Sequence, residues 1–368
     1  KATANLRTRL GPGAPSAIAW LLLCDLRMRW FSKMKNLGPE FYTDSALYER
    51  ERRVIFWNTW QLLGPVTYLY SAGDYLATEI AGAKVFAIRD NDGKLRAFRN
   101  VCRHRGARLL PEGQGNCKRI RCPYHSWVYR LDGSLERTPW FGDDPKFDPA
   151  DWPLDEIYVD VWRGLVFVAL DTDRTLESQL AAVIGELALE PIETYQPVAQ
   201  HRLVFDANWK VYTDNFVEGY HIPTIHPSFF EAIQFEQFET TVHDNMVRMS
   251  APAQDKLFYR GRWLWMWPNW TLSVFDGGMN TSRVNPVGPA QTELIYEFYF
   301  CDEKRVDKSS CQEVIAQNLA VIEEDFEICV QTHKNYASNA YVPGPLSHKQ
   351  EAGVHWFQSK LRDLLVPD

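Results

Sequence analysis

The stretch "CRHRGARLLPEGQGNCKRIRCPYH", Cys102 to His125, decides how the chain is read. It carries a C-x-H pair, Cys102 and His104, and a C-x-x-H pair, Cys122 and His125, on either side of a basic loop. Two thiolates and two imidazoles at such spacings converge on a metal, and zinc and an iron–sulfur cluster both accept this donor set. Zinc fingers place both cysteines in one pair and both histidines in the other. Here each pair is mixed. A two-iron cluster explains the mixing, because one iron takes the two cysteines and the other the two histidines. Cys117, in the polar turn "GQGNCKR", reads as a free surface thiol.

The surroundings of that stretch are strands and turns. "KVFAIRDNDGKLRAF" sets two extended runs around Asn91-Asp92-Gly93, and "WVYRLDGSLERT" repeats the form around Asp132-Gly133; both are hairpin signals. "GLVFVAL", Gly164 to Leu170, reads as a buried strand. Residues 55–165 are therefore expected to form a small all-β module with the Cys/His pairs on its loops. The pattern then changes. "TLESQLAAVIGELALE" has helical apolar spacing, strands are expected around 200–206, 238–250 and 263–300, and a long helix over about 311–334. Residues 38–54 read as a helix capped by Thr43 or Asp44. Together 38–54 and 166–368 make an α+β unit around an antiparallel sheet. The first 37 residues open "KATANLRTRLGPGAPSAIAW", with bases and no acid, and read as a poorly structured extension, a targeting segment or a truncated start.

Composition excludes several classes. With 368 residues the chain is long enough for two cores, and its net charge of -7 gives no basic field for nucleic acid. "AIAWLLLC" (Ala17 to Cys24) falls far short of the roughly 20 apolar residues a membrane span needs. Seven cysteines, an odd number in a large chain, point to a reducing, cytoplasmic setting.

A second constellation lies in "NWKVYTDNFVEGYHIPTIHP", Asn208 to Pro227. Residues 208–221 read as one helix ending near Pro223, with Glu218 and His221 one turn apart on one face. Pro223 and Pro227 break the helix and let His226 fold back toward His221. Two histidines plus one carboxylate, with open positions, make the facial triad of non-haem Fe(II) oxygenases. The carboxylate is sought in "VIAQNLAVIEEDFEICVQTH", where Ile315, Leu319, Ile322, Phe326 and Cys329 make the expected buried stripe. Asp325 flanks that stripe, Glu323 lies on the other flank, and Glu324 and Glu327 face away. "WLWMWPNW" sets Trp263, Trp265 and Trp267 on one face of a strand, either as sheet core or as an aromatic wall for an apolar ring or a cationic headgroup.

"CRH…CPYHSW", "NWKVYTDNF-EGYHIPTIHP" and "EEDFEICVQ", in this order, resemble the α subunit of a Rieske non-haem iron oxygenase over roughly residues 38–335. The resemblance implies an all-β Rieske domain and a catalytic domain of helix-grip type. It implies that Cys102, His104, Cys122 and His125 bind a [2Fe–2S] cluster, and that His221, His226 and Asp325 bind a mononuclear Fe(II). Glu218 stands where the family has an acidic bridge between the two centres, more often Asp. Glu at this place resembles the branch acting on quaternary ammonium compounds such as carnitine; aromatic substrates are the alternative. The implied reaction is reductive activation of O₂ to hydroxylate, demethylate or cleave a small molecule. Its electrons come from an NAD(P)H-dependent, flavin-containing reductase, directly or through a ferredoxin, since this chain has no G-x-G-x-x-G after a strand and no second four-Cys pattern. A homotrimer packed head to tail is implied as well. A bare Rieske electron carrier and a zinc-binding structural protein remain the competing readings.

Overall fold

The computed structural model describes residues 35–252, 259–302, 304 and 307–366, so the expectation for residues 1–37 lies almost wholly outside the described residues. Two seven-stranded antiparallel sheets and one small three-stranded sheet carry the chain. The first large sheet has the order β1-β10-β9-β4-β3-β2-β5, built from β1 (Gln61–Pro65), β2 (Asp74–Ile80), β3 (Ala83–Arg89), β4 (Leu95–Arg99), β5 (Gly113–Asn116), β9 (Glu156–Trp162) and β10 (Leu165–Ala169). The small sheet joins β6 (Ile120–Arg121), β7 (Val128–Tyr129) and β8 (Leu135–Arg137).

Turn chemistry sets these registers. Asp90 accepts the N–H groups of Asp92 and Lys94, and Gly93 takes a positive φ of 78°, which closes the β3–β4 hairpin. Asp132 and Gly133 do the same between β7 and β8, with Asp132 accepting from Ser134 at 2.9 Å and Gly133 at φ 86°. Arg163 and Gly164 both have positive φ and join β9 to β10 with Trp162 opposite Leu165, the backbone demand of a type I′ hairpin turn.

The second large sheet has the order β11-β17-β16-β15-β14-β13-β12. Its strands are β11 (Gln196–Phe205), β12 (Glu239–His243), β13 (Met246–Ser250), β14 (Tyr259–Met266), β15 (Trp270–Phe275), β16 (Gly278–Gly288) and β17 (Gln291–Phe300). Period-two alternation divides its side chains between two cores. Met246, Leu264, Leu272, Val274, Met279 and Tyr299 pack with helix residues Leu176, Leu180 and Val183 and with Leu165 and Phe167 of the first sheet. Val247, Met249, Trp265, Leu294, Tyr296 and Phe298 face the other way, toward the helices.

Those helices are α1 (Glu40–Thr43), α2 (Ser45–Glu51), α3 (Leu176–Glu186, on the outer face), α4 (Trp209–Phe216), α5 (Ile222–Ile225), α6 (Pro227–Ala232), α7 (Lys308–Ala337) and α8 (Ala352–Leu365). Asp44 caps α2 by accepting from Ala46 and Leu47, Asn208 caps α4, and Asp307 caps α7. The long α7 spans 30 residues and packs against α4. A seven-stranded antiparallel sheet covered by a long helix is the expected helix-grip arrangement in an α+β fold. Among the described residues no helix is long and apolar enough to cross a membrane.

Three readings of local structure are corrected. α4 stops at Phe216 rather than running to Pro223. The helix closes at Val217, which leaves the helical range at ψ 18°, and three residues past its end Gly219 is pressed so tightly on the Phe238 ring that a Cβ there would lie 2.3 Å from it. Pro223 and Pro227 sit in the first turns of α5 and α6, so they start helices instead of breaking one. The buried stripe of α7 is Cys311, Val314, Asn318, Ile322, Asp325, Cys329 and His333, which puts Asp325 at its centre; Ile315, Leu319 and Phe326 are its half-buried edge.

Candidate active site

Two loops of matching backbone form hold the first group. In one, the Cys102 N–H donates to Ala107 and the Gly106 N–H to Cys102; in the other, the Cys122 N–H donates to Trp127 and the Ser126 N–H to Cys122. Gly106 and Ser126, each four residues past its cysteine, have φ of 72° and 61°. Both thiols are buried and unpaired, while both imidazoles reach the surface. The rings of His104 and His125 lie 4.6 Å apart, and Trp127 stacks on His104 at 4.8 Å and 7°. Burial pushes the Cys122 thiol up, opposed by the N–H groups of Tyr124 and His125 that point at its sulfur. Burial holds His104 below its ordinary value, helped by His125 and Arg105, and its buried Nδ1 has no hydrogen-bond partner. The Tyr129 hydroxyl lies 3.4 Å from Cys102 Sγ. An orphaned imidazole nitrogen beside two buried thiols fits a metal-bound group. No three of these four residues bring their donor atoms within 4.8 Å of one another, which a single tetrahedral zinc would require.

The second group is built by α4, the turn after it, and α7. His221 caps α5 and His226 links α5 to α6, so the two histidines hang on a short irregular segment over the helix that carries Asp325. His221, His226 and Asp325 are the one set of three His, Cys, Asp or Glu donors among the described residues whose ligating atoms all lie within 4.8 Å of one another. Asp325 Oδ1 is 2.9 Å from His226 Nε2 and 3.6 Å from His221 Nε2, and it also accepts from Asn215 Nδ2 at 2.6 Å. The outward nitrogens are held too. His221 Nδ1 lies 2.5 Å from Glu218 Oε1, and His226 Nδ1 lies 2.6 Å from Glu324 Oε2. An imidazole with one nitrogen on a carboxylate and the other aimed inward is the orientation a metal-ligating histidine needs. Burial pulls His226 down, but the Asp325 and Glu324 carboxylates outweigh it and raise its proton affinity.

Glu324 corrects the sequence reading, which turned it away from the site. Its Cα does lie about 100° round the helix from Asp325, yet its longer side chain reaches back to His226. No wheel projection finds that contact, because the wheel locates a Cα and not the end of a flexible side chain.

A cleft with an empty volume of about 700 Å³ opens beside the triad. Phe216, Phe229, Phe238, Trp263 and Tyr296 are among the side chains of its apolar wall. Phe229 meets Trp263 edge-on at 5.2 Å. The three tryptophans that alternate along "WLWMWPNW", Trp263, Trp265 and Trp267, therefore part company: Trp263 lines the cleft, whereas Trp265 and Trp267 are buried against Trp356 and Phe357 of α8.

Residues 59–148 match the Rieske [2Fe–2S] domain, and residues 192–257 and 248–366 match the ring hydroxylating alpha subunit catalytic domain. The carnitine monooxygenase oxygenase subunit of Escherichia coli (strain K12) is 31% identical over 289 residues, covering 74% of this chain and 77% of that protein. The chloroplastic choline monooxygenase of Spinacia oleracea is 28% identical over 346 residues, covering 88% and 77%. Among solved structures, the quaternary ammonium Rieske monooxygenase CntA matches with a TM-score of 0.81 at 28% identity, over 90% of this chain and 95% of that one; that structure is described as giving insight into carnitine oxidation and inter-subunit electron transfer. Naphthalene 1,2-dioxygenase, at 19% identity and a TM-score of 0.76, shares the fold. The chain belongs to the Rieske non-haem iron oxygenase α subunits, oxidoreductases that pair a [2Fe–2S] domain with a catalytic domain binding mononuclear iron.

Proposed function

We propose that the chain is the oxygenase component of a quaternary ammonium Rieske monooxygenase, with the cluster held by Cys102, His104, Cys122 and His125 and Fe(II) held by His221, His226 and Asp325. The observation that carries the iron site is the pair of carboxylate–imidazole contacts, Glu218 on His221 and Glu324 on His226, behind one inward-facing Asp. When bound, the cluster supplies single electrons and the iron supplies reductive activation of O₂. This chain's residues do the rest. Glu218 and Glu324 fix the tautomers and aim both imidazoles inward. Asn215 holds Asp325 by a hydrogen bond. Phe229, Phe238 and Trp263 keep the cleft apolar and offer ring faces to a trimethylammonium group. The names of the similar proteins and the Glu at position 218 favour a quaternary ammonium substrate over an aromatic one.

The family needs an electron-transfer partner; we assign that role to a separate NAD(P)H-dependent flavin reductase, with or without a ferredoxin. Residues 55–165 form the cluster domain, and 38–54 with 166–368 the catalytic domain. The compartment is cytoplasmic, in keeping with an odd count of seven cysteines in a large chain. The assembly is a homotrimer in which one subunit's cluster faces the next subunit's iron. Charge supports the docking: Arg103, Arg105, Arg108 and Arg121 are exposed on and beside the cluster loops, and Glu218 lines a cavity behind the triad.

The test is iron and acid-labile sulfide analysis with absorption and EPR spectra, then turnover with a surrogate reductase, following O₂ uptake and product together. The reading expects a red-brown protein with three irons and two sulfides per chain, and product from choline or carnitine. A colourless zinc protein refutes the metal assignment, and product from aromatic hydrocarbons alone refutes the substrate class.

A further inference from the structure

The inner face of the second sheet should be apolar where the helices cover it, and mostly it is. Across its middle, however, runs a strip of small polar side chains: Thr271 and Ser273 on β15, Asn280 and Ser282 on β16, all 4% exposed or less. Thr271 and Ser282 satisfy each other at 2.5 Å. Asn280 Nδ2 donates to Asn318 Oδ1 of α7 at 3.1 Å, and Asn318 Nδ2 donates to the Val314 carbonyl at 2.7 Å. That second bond fixes which way both amides point, because the Asn318 nitrogen is already engaged. Asn280 Oδ1 is left buried with no partner. Asn280 stands opposite Ser273 in the β15–β16 ladder, and Ser273 and Asn318 both line the cleft beside the triad.

Leaving a buried carbonyl unsatisfied destabilises the fold, so one is kept where a ligand can fill it. A few placed polar groups in an otherwise apolar cleft are what fix a ligand's orientation. Asn318 and Asp325 lie on one face of α7, two turns and about 10 Å apart. A hydrogen bond takes up about 3 Å of that span. A ligand reaching from one end to the other therefore has only a few bonds between its polar group and the carbon facing the triad.

We propose that Ser273, Asn280 and Asn318 form a hydroxyl-binding pole, so that the preferred substrate is a short molecule with an uncharged hydroxyl at the end remote from the carbon that is oxidised. The hydroxyl donates to Asn280 Oδ1 and accepts from Ser273 or Asn318. This rests on the quaternary ammonium reading for the other end of the substrate, and adds to it what the far end carries.

The experiment uses matched probes in which a hydroxyl is replaced by a methyl group of similar size: choline against propyltrimethylammonium, and benzyl alcohol against ethylbenzene. Dissociation constants are measured by calorimetry on the cluster- and iron-loaded enzyme. Choline is expected to bind at least tenfold more tightly than propyltrimethylammonium. The double variant Asn280→Leu/Asn318→Leu replaces both hydrogen-bonding partners by apolar groups of like size, and should bring the two members of the pair to the same affinity. Ser273→Ala, a milder change, should narrow the ratio. Equal binding of choline and its analogue by the parent enzyme, or a preference that survives in the double variant, overturns the pole. If only the benzyl pair binds and shows the preference, the pole stands and the quaternary ammonium reading falls. If neither pair binds, both are wrong.

Discussion

At the scale of single residues, the iron site separates ligands from the groups that aim them. Asp325 offers one oxygen to both imidazoles, so on the proposed assignment Asp325→Ala takes away one of three ligands. The expected outcome is loss of mononuclear iron and turnover with the cluster's visible spectrum intact, checked by metal analysis and absorption on one preparation. Glu324 touches only the far nitrogen of His226. Glu324→Gln or Glu324→Ala should therefore weaken iron binding by about ten- to a hundredfold without abolishing it. Glu323→Ala, one position away and exposed, should do nothing to iron affinity. A competition titration with a chelator reads all three. Asp325 could be picked from the sequence because a buried stripe constrains which helix positions face inward. Glu324 could not, since its contact depends on side-chain reach rather than helix phase. Cys102, His104, Cys122 and His125 stand out most readily in the sequence, because their spacing encodes two matching loops.

At the scale of elements, α4 is tied down by buried charge that no sequence pattern announced. Lys210 and Glu51, both fully buried, pair at 2.6 Å, and Trp209 Nε1 also donates to Glu51 at 2.8 Å. Lys210→Met leaves a carboxylate buried with one neutral donor and should cost about 3–5 kcal/mol of stability. Adding Glu51→Gln should recover part of that loss, read by denaturant unfolding.

Next along α4, Asp214 accepts from the Tyr42 hydroxyl at 2.6 Å and from Gln358 at 3.1 Å, joining α1, α4 and α8. Burial pushes its carboxyl up to about 7. The folded protein then keeps a proton that the unfolded chain has released above about pH 4. Stability should therefore fall as pH rises from about 4 toward 7 and level off above that. Asp214→Asn removes the titration, so its melting temperature should change less between pH 5 and 8 than the parent's. Glu297, also raised by burial to about 7 and held by Tyr68 of the cluster domain, leaves part of the slope in place. Helix and strand identities were legible from periodicity. The early end of α4 was not, because the run from Asn208 to His221 holds no Pro and no Gly before Gly219, so nothing in the pattern marks a stop at Phe216.

At the scale of the whole molecule, the question is which cluster serves which iron. Glu218 is bonded to His221 on one side and lines the cavity it shares with Asp214 and Glu351 on the other. It is thus placed to connect the iron site to something docked from outside. In the proposed head-to-tail ring each interface would join two different patches, the exposed arginine-bearing cluster loops of one subunit and the cavity lined by Glu218 on the next. Glu218→Gln should keep both metal centres and slow reoxidation of the reduced cluster in a single turnover. Cys102→Ala should lose the cluster and keep the iron. Neither enzyme turns over well alone. When the two are mixed and allowed to reassemble, some interfaces bring an intact cluster from a Glu218→Gln subunit against an intact Glu218 on a Cys102→Ala subunit. With random mixing in equal amounts about a quarter of interfaces are of this kind, and activity should recover to roughly that fraction of the parent's. If each cluster served the iron of its own chain, mixing would restore nothing. Native mass spectrometry showing mixed trimers that remain inactive would therefore rule out electron transfer between subunits.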